Sequence, residues 1–280
     1  MASSPAPDPT RAAVERAAGD RDAPRDTPRD QPGPVAPGAA LLYPAVRAAG
    51  DRVRGWRTTL GLVVLAGAAL AAVAVVLFAW LAHWVVAGRT QPYDEAALRW
   101  LGAHRGAPWL QGVIIEVTFL GTMTVVVTLA AIVALFLTLA RQRASAALLL
   151  WATVGAIALN NAVKLAFDRP RPQVFAWGTH AATTSFPSGH AMSTAAVYGT
   201  VAFLAARMTH QRAVRVGIYA AAAVLVLLVS FSRLYLGVHY PTDVAAGVVL
   251  GAGWAAFCAA ALEAVAHATR RRRERRAARR

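Results

Sequence analysis

The residues of this chain best suited to chemistry occur in three short segments, each beside an apolar run. The segments are KLAFDRPRP (Lys164 to Pro172), FPSGH (Phe186 to His190) and SRLYLGVHYPTD (Ser232 to Asp243). Fixed cations suit a phosphate dianion, and imidazoles suit covalent phosphoryl transfer. Lys164 is the only lysine of the chain, since every other one of its 29 basic residues is arginine. The segments together indicate phosphate chemistry.

In the first segment, a lysine ends an apolar run and an arginine follows between two prolines. Lys164 should lie in the last turn of a helix, while Pro170 and Pro172 impose the extended path that carries Arg171. Arginine offers a planar fork to two phosphate oxygens, and lysine supplies a mobile point charge. Both are candidate phosphate ligands, although interfacial snorkelling would explain Lys164 taken alone.

The second segment predicts a helix N-terminus directed at an anion. Pro187 begins it, Ser188 is a natural N-cap, and Gly189 leaves the backbone open to a ligand. N–H groups at a helix N-terminus form an anion site by themselves. His190 would then project from the first turn toward a bound phosphate, whereas each residue taken singly is more typical of a cap or a membrane interface.

The third segment pairs an imidazole with a carboxylate four residues later. Arg233 ends one apolar run, His239 lies just before Pro241, and Asp243 falls in the first turn of the next helix. A carboxylate near one imidazole nitrogen fixes the tautomer and leaves the other nitrogen as nucleophile. The simpler interpretation is that Asp243 complements the helix dipole, but a cluster of ionisable groups beside a membrane core indicates a function.

The composition predicts an all-α membrane protein, a six-span helical bundle. The 280 residues are 57% hydrophobic and 15% charged, and six apolar runs each approach the roughly 20 residues that cross a bilayer. Between the first two runs, Leu98 and Leu101 alternate with charged residues, which predicts a short interfacial helix. The predicted spans are 60–83, 117–139, 144–166, 190–208, 213–232 and 242–266.

The domain organisation follows from the charged and proline-rich ends of the chain. We predict a disordered cytoplasmic arm over 1–45, a membrane-embedded domain over 46–268 and an arginine-rich cytoplasmic tail over 269–280. Much of the net charge of +15 lies in the arginine-rich tail, and further arginines flank the spans, which favours membrane orientation over nucleic-acid binding. Cys258 lies in an apolar run and is expected to pack between helices.

The arginine bias predicts a multi-pass protein of the cytoplasmic (inner) membrane with both termini in the cytoplasm. The loops after the third and fifth spans then lie on the external face, so all three segments meet there in one site. A span count wrong by one would place them on opposite faces. The oligomeric state is left open by these patterns.

The segments resemble the K-x6-RP, PSGH and SR-x5-H-x3-D signature of the type 2 phosphatidic acid phosphatase family, the lipid branch of a superfamily that includes vanadium haloperoxidases. All three are complete and in order between Lys164 and Asp243. The resemblance implies a membrane-integral phosphatase acting on a lipid phosphate or pyrophosphate through a phosphohistidine. Phosphatidate, phosphatidylglycerol phosphate and polyprenyl pyrophosphate are all candidate substrates.

Carried over by position, the resemblance assigns His239 as nucleophile, Asp243 as the residue that orients it, and His190 as the acid that protonates the departing lipid oxygen. Phosphoryl transfer needs positioning and charge neutralisation above all. Three protein cations would replace magnesium, so we expect no metal ion and no other cofactor. The residues that resemble the phosphate cradle are Lys164, Arg171, Ser188, Gly189 and Arg233.

Two other chemistries use the same residues. Ser188, His239 and Asp243 would make a hydrolase triad, which leaves three cations without a role and lacks a strained nucleophile turn. His190, His239 and Asp243 would make a metal site, but the adjacent cations would repel a divalent ion.

The alternative outside enzymes is an anionic-lipid binding or transport protein with a basic vestibule. Midplane charges or broken helices would support it, and the sequence predicts neither, apart from Asn160 and Asn161, which suit helix–helix contact. Asp168 and Arg169 are candidates for tuning headgroup recognition, and a gap between spans four and six is the expected path for lateral access of lipid. No catalytic role is expected for His83, His104, His180, His210 and His267.

Overall fold

The computed structural model describes residues 64–181 and 183–279, and within these ranges it consists of eight helices without strands. The all-α prediction is therefore confirmed, while the arm predicted over 1–45 lies outside the described residues. The helices are α1 (Val64–Val86), α2 (Gln91–Ala103), α3 (Pro108–Phe119), α4 (Met123–Leu139), α5 (Arg143–Ala166), α6 (Gly189–Ala206), α7 (Arg212–Tyr235) and α8 (Pro241–Ala277).

Four helices, α1, α5, α7 and α8, are long and apolar enough to cross a bilayer, and the bent pair α3 and α4 makes a fifth if counted as one span. The chain is thus an integral membrane protein with four or five candidate spans in its described part, and the predicted count of six is not confirmed. The remaining predicted span corresponds to α6, which is buried along most of its length. A helix that contacts protein on every side can carry polar residues such as Ser193 and Thr194 that a lipid-facing helix would exclude.

Helix α6 forms the centre of the bundle and packs most closely against α8. A Cβ atom added at Gly247 would lie 2.6 Å from the Ser188 carbonyl oxygen, and one at Gly251 would lie 2.3 Å from the Met192 carbonyl oxygen. Only glycine permits this approach of two backbones. The two helices are therefore in backbone contact beside the start of α6, which closes the predicted path for lipid between spans four and six at that level.

The second predicted span is broken. Helices α3 and α4 meet at an angle of 45° across Leu120 to Thr122, although the sequence predicted one continuous run and no broken helix. Backbone groups freed by the break find partners: the Tyr198 hydroxyl donates to the Leu120 carbonyl oxygen at 2.8 Å, and the Val125 N–H donates to the Thr122 side chain at 3.4 Å. Such partners make a break in apolar surroundings stable.

Helix α2 is present as predicted, but one of its charged residues lies on its inner face. Asp94 and Leu98, one turn apart, are 2% and 1% exposed, so an apolar stripe alone does not describe the face that α2 turns to the protein. At the other end of the chain, α8 continues without a break to Ala277. The last predicted span and the arginine-rich tail are thus one helix. Cys258 of this helix is buried in a hydrophobic cluster between helices, as predicted.

Candidate active site

The three segments meet in one cavity of about 290 Å³ at the adjoining ends of α5, α6 and α7. Lys164 lies in the last turn of α5, Arg233 lies in the last turn of α7, and α6 begins at Gly189. Asp243 lies in the first turn of α8, behind the cavity wall. The predicted site residues that line the cavity are Lys164, Arg171, Gly189, His190, Arg233 and His239.

Backbone carbonyl groups hold two of the three cations. The Lys164 Nζ donates to the Thr184 carbonyl oxygen at 2.5 Å. The Arg171 Nε donates to the Thr183 carbonyl oxygen at 2.7 Å, and its Nη1 donates to the Val238 carbonyl oxygen at 2.7 Å. These bonds link the first segment to the third and to the loop residues that precede the second, and they fix the direction of the Arg171 guanidinium.

The third cation, Arg233, is held from the broken helix. Its Nη1 donates to Thr118 Oγ at 2.8 Å, and its side chain is buried. Within residues 64–181 and 183–279, none of Lys164, Arg171 and Arg233 forms an ion pair with a carboxylate. Three positive charges therefore face one small cavity without a directly paired carboxylate, an arrangement that binds a multivalent anion.

The imidazole of His239 presents a lone pair to the cavity. Arg171 Nη1 lies 3.3 Å from Nε2, and since a guanidinium only donates, Nε2 accepts and the ring proton lies on Nδ1. Burial lowers the pKa of His239 to about 4, the two arginines act in the same direction, and Asp243 opposes them. The ring is thus neutral at pH 7, which is the form that can act as a nucleophile.

Asp243 faces the other side of this ring. Its Oδ2 lies 3.6 Å from His239 Nδ1, longer than a hydrogen bond, and Nδ1 has no hydrogen-bond partner among the described residues. The carboxylate therefore acts on the imidazole through its charge. It is fully buried and held by three donors: Arg169 Nη1 on Oδ1 at 2.6 Å, with the Tyr240 N–H at 2.9 Å and the Ser185 hydroxyl on Oδ2.

The second segment differs in one detail from its prediction. Ser188 occupies the N-cap position of α6, but its side chain makes no capping hydrogen bond. Its hydroxyl is fully buried, lacks a hydrogen-bond partner in the described part of the chain, and lies outside the cavity lining. Because His239 Nε2 accepts from Arg171 and not from Ser188, the geometry does not form a serine hydrolase triad.

Several cavity residues were not predicted from the sequence. Gly121 lines the cavity from the break between α3 and α4, and a Cβ atom there would lie 2.4 Å from Val229 Cγ1 and 3.0 Å from His190 Cδ2. Asn160 lies one turn before Lys164 on α5, and its Oδ1 is buried without a partner among the described residues. His180, which was assigned no role, also lines the cavity.

For Gly121 the available signal was a glycine inside an apolar run. For Asn160 it was an amide four residues before the cationic Lys164, which places both on one helix face. Asn160 and Asn161 both line the cavity, and Asn160 also lies against the start of α6, where a Cβ atom at Gly189 would be 3.3 Å from its Nδ2.

Arg169, predicted as a candidate for headgroup recognition, points away from the cavity. Its side chain is 9% exposed and pairs with Asp94 at 2.8 Å and Asp243 at 2.6 Å. A guanidinium committed to two buried carboxylates has no fork left for a phosphate. That expectation is therefore wrong for Arg169.

Fold and cavity together define an all-helical membrane protein with a cationic, histidine-containing anion site. Comparison with known proteins agrees: the PAP2 superfamily profile matches residues 145–265. Phosphatidylglycerophosphatase B of Bacillus subtilis is 34% identical over 175 residues, which cover 62% of this chain and 85% of that protein. Decaprenylphosphoryl-5-phosphoribose phosphatase of Mycobacterium tuberculosis is 47% identical over 68 residues, 24% of this chain and 32% of that protein.

A solved structure supports the same conclusion. The crystal structure of a transmembrane PAP2 type phosphatidylglycerolphosphate phosphatase from Bacillus subtilis superposes with a TM-score of 0.64 at 31% identity, covering 67% of this chain and 93% of that one. The chain therefore belongs to the PAP2 superfamily. The predicted family is confirmed, and with it the predicted class of enzyme, a lipid phosphatase.

Proposed function

We propose that this protein removes the terminal phosphate of a glycerophospholipid, with phosphatidylglycerol phosphate as the first candidate substrate. The observation that carries the proposal is the cavity in which three cations without carboxylate partners surround the lone pair of His239. The similarity to phosphatidylglycerophosphatase B, which extends over 85% of that relative, supports this headgroup. Phosphatidate and a polyprenyl phosphate or pyrophosphate are the competing substrates.

The proposed reaction has two steps. Nε2 of His239 attacks phosphorus, the bond between phosphorus and the lipid oxygen breaks, and His190 gives that oxygen a proton. A phosphate dianion bound beside His190 favours the protonated imidazole that this step requires. Water then attacks phosphorus while His190 takes its proton, and the N–P bond breaks to release inorganic phosphate and restore neutral His239.

The remaining site residues have static roles in this proposal. Asp243 stabilises the positive charge that His239 acquires as it attacks. The equatorial phosphate oxygens lie among the cations and the N–H groups at the start of α6. The proposed phosphate-binding residues are Lys164, Arg171, Ser188, Gly189 and Arg233, with Ser188 acting through its backbone because its hydroxyl lies outside the cavity lining.

The lipid tails leave the cavity between the start of α4 and the end of α5. Gly121 and Met123 line the cavity on the side of α4, and Ala156, Ile157 and Asn160 line it on the side of α5. A cavity of about 290 Å³ holds a headgroup but not two acyl chains, so the chains must pass to the bilayer. Met123 is 46% exposed, and this apolar rim supports lateral access at that place.

We further propose six spans in the cytoplasmic membrane, with α6 as the protein-enclosed span and the α3–α4 pair as one broken span. Both termini are then cytoplasmic and the cavity opens at the external face. The meeting of all three segments at one end of the bundle supports this topology. The proposed domain limits are unchanged: an arm over 1–45, a membrane domain over 46–268 and a tail over 269–280.

The phosphatase should need no metal ion. The described residues contain no group of three His, Cys, Asp or Glu side chains suited to hold one. The three cations of the cavity supply instead the charge that magnesium provides in other phosphoryl transfer enzymes.

The test is phosphate release by purified protein in detergent with EDTA. Phosphatidylglycerol phosphate, phosphatidate and a C55 polyprenyl pyrophosphate would be offered separately to the protein and to His239→Ala. A matched control is His210→Ala, an exposed histidine that follows the far end of α6.

Release that is highest for phosphatidylglycerol phosphate, retained in His210→Ala and abolished in His239→Ala supports the proposal. A higher rate with another lipid would make that lipid the proposed substrate and would leave the proposed mechanism unchanged. No release by folded protein that still binds the lipids would favour the non-catalytic vestibule, and release only after added divalent ion would refute metal independence.

A further inference from the structure

An ion-paired cluster outside the cavity connects α2 to the first turn of α8. Its centre is the Arg169 guanidinium, whose Nη2 donates to Asp94 Oδ2 at 2.8 Å and to Gln91 Oε1 at 3.0 Å. Its Nη1 donates to Asp243 Oδ1 at 2.6 Å and to Thr242 Oγ at 2.8 Å. Both terminal nitrogens of this arginine are thus engaged inside the protein, and its side chain does not line the cavity.

An aromatic ring also packs against the face of the Arg169 guanidinium. Its carbon atom lies 4.1 Å from the centre of the Tyr240 ring, a cation–π contact at short range. The Tyr240 hydroxyl accepts a hydrogen bond from Gln91 Nε2 at 2.9 Å. The residue between the nucleophile and the start of α8 is thus part of the same cluster.

Asp94 fixes the first turn of α8 directly. Its Oδ1 accepts from the Thr242 backbone N–H at 3.0 Å, and its Oδ2 accepts from the Thr242 hydroxyl at 2.6 Å. This N–H is one of the groups that a helix leaves unsatisfied at its N-terminus. A carboxylate from a helix almost 150 residues earlier therefore serves as the cap, and at 2% exposure it has little access to solvent.

The arrangement has a consequence for the nucleophile. Arg169 is the only hydrogen-bond donor to Asp243 Oδ1 among the described residues, whereas Oδ2 takes the Tyr240 N–H and the Ser185 hydroxyl. Arg169 thus sets the rotation of the carboxylate that brings Oδ2 to 3.6 Å from His239 Nδ1. It also offsets part of the negative charge that Asp243 presents to the imidazole.

We propose that Arg169 and Asp94 are positioning residues of the reaction: together they hold the Asp243 carboxylate against His239 and so set the rate of phosphohistidine formation without touching the substrate. The inference rests on the proposed function, in which His239 is the nucleophile. It assigns a role to α2, which lies outside the three segments.

The main variant is Arg169→Met, which keeps an unbranched side chain and removes the guanidinium group. Its matched control is Arg99→Met on α2, where the arginine is 60% exposed and, among the residues described, pairs only with Glu95 one turn away. Arg169→Met should lower kcat about 100-fold with KM within about twofold, since orientation of the nucleophile matters only as the transition state forms. Arg99→Met should change neither.

A second variant protects the test against misfolding. Asp94→Asn keeps the shape of the side chain but replaces one acceptor of Arg169 and Thr242 by a donor. Arg169 can still bond Asp243 but is held less firmly, so kcat should fall about 10-fold and the protein should remain folded. Glu116→Gln, an exposed acidic residue of α3, is its control.

The pH profile separates positioning from loss of structure. Without Arg169, Asp243 attracts the imidazolium more strongly, so the pKa of His239 should rise and the acid limb of kcat/KM should move to higher pH. The other charged or titratable groups that face this site are unchanged in the variant: Asp243, Tyr240, Lys164, Arg171, His190 and Arg233. A merely structural defect would lower activity at every pH alike.

The outcomes are distinct. A kcat loss at constant KM with a displaced acid limb in Arg169→Met, together with the smaller loss in Asp94→Asn, supports the inference. Wild-type kcat in either variant, or a loss carried by KM with an unmoved pH profile, overturns it. If His239→Ala remains active, the proposed function itself fails; if only the Arg169 and Asp94 variants remain active, the proposed function stands and this inference fails.

Discussion

Substitution of Gly121 by alanine should disable the proposed acid, His190, although neither histidine is itself replaced. The added Cβ atom would lie 2.4 Å from Val229 Cγ1 and 3.0 Å from His190 Cδ2. Since carbon atoms pack at roughly 3.5–4.0 Å, Val229 must move by about 1 Å and the His190 ring by about 0.5–1 Å. A displacement of this size at a reacting group costs on the order of 100-fold in rate.

The assay compares two leaving groups. A lipid oxygen needs a proton as it departs, whereas the nitrophenolate of p-nitrophenyl phosphate does not. Gly121→Ala should therefore slow kcat for the lipid about 100-fold and slow p-nitrophenyl phosphate hydrolysis far less. Gly112→Ala is the matched control, because a Cβ atom at Gly112 on α3 meets nothing within 4 Å.

Stability must be measured alongside, because overpacking costs about 1–3 kcal/mol. Thermal unfolding of Gly121→Ala in detergent would report that cost separately from the kinetics. Activity of Gly121→Ala equal to that of Gly112→Ala, or an equal loss with both substrates, would refute the reasoning, since either result means that the contact with His190 does not govern proton transfer.

Three further predictions concern the cavity walls and the nucleophile. The neutral form of His239 is the reactive one, so kcat/KM should fall as the pH drops through the pKa of His239, about 4. Thermal stability should also decline as the pH falls from about 6.5 to about 4, because the unfolded chain binds more protons than the folded chain in that range. Thr118→Val removes the acceptor 2.8 Å from Arg233. The inhibition constant of inorganic phosphate should then rise about tenfold, as expected for the loss of a hydrogen bond to a charged group; an unchanged constant would contradict this. Asn160→Leu should lower kcat/KM for the lipid but keep that for p-nitrophenyl phosphate within about twofold, measured in the same detergent; equal losses would show that Asn160 does not face the lipid portion.

The long helices and the meeting of the three segments were predictable because both depend on local patterns. Apolar runs bounded by arginine and proline define most helix ends within a few residues, as for α5 and α7. The order of the segments then brings Lys164, His190 and His239 to one end of the bundle, where the structure has them. Roles of individual residues depend on the reaction itself and stay predictions.

The break between α3 and α4 and the cluster around Arg169 were not predictable from the same patterns. The break is set by what Gly121 meets, namely Val229 and His190, which are about 70 or more residues away in the chain. Asp94 was interpreted as part of a polar face because hydropathy does not distinguish a solvated carboxylate from one paired with a distant arginine. Both the break and the Arg169 cluster depend on contacts between residues far apart in the chain, which the periodicity of apolar residues does not predict.

The central claim is that phosphate becomes bonded to His239, and trapping the phosphorylated protein tests it most directly. The protein would be mixed with lipid labelled with ³²P in its terminal phosphate and quenched in alkaline denaturant, in which a phosphohistidine survives. We expect label on His239 in the protein and in His210→Ala, and none in His239→Ala. Label that persists in His239→Ala, or that maps to Ser188, would contradict the account.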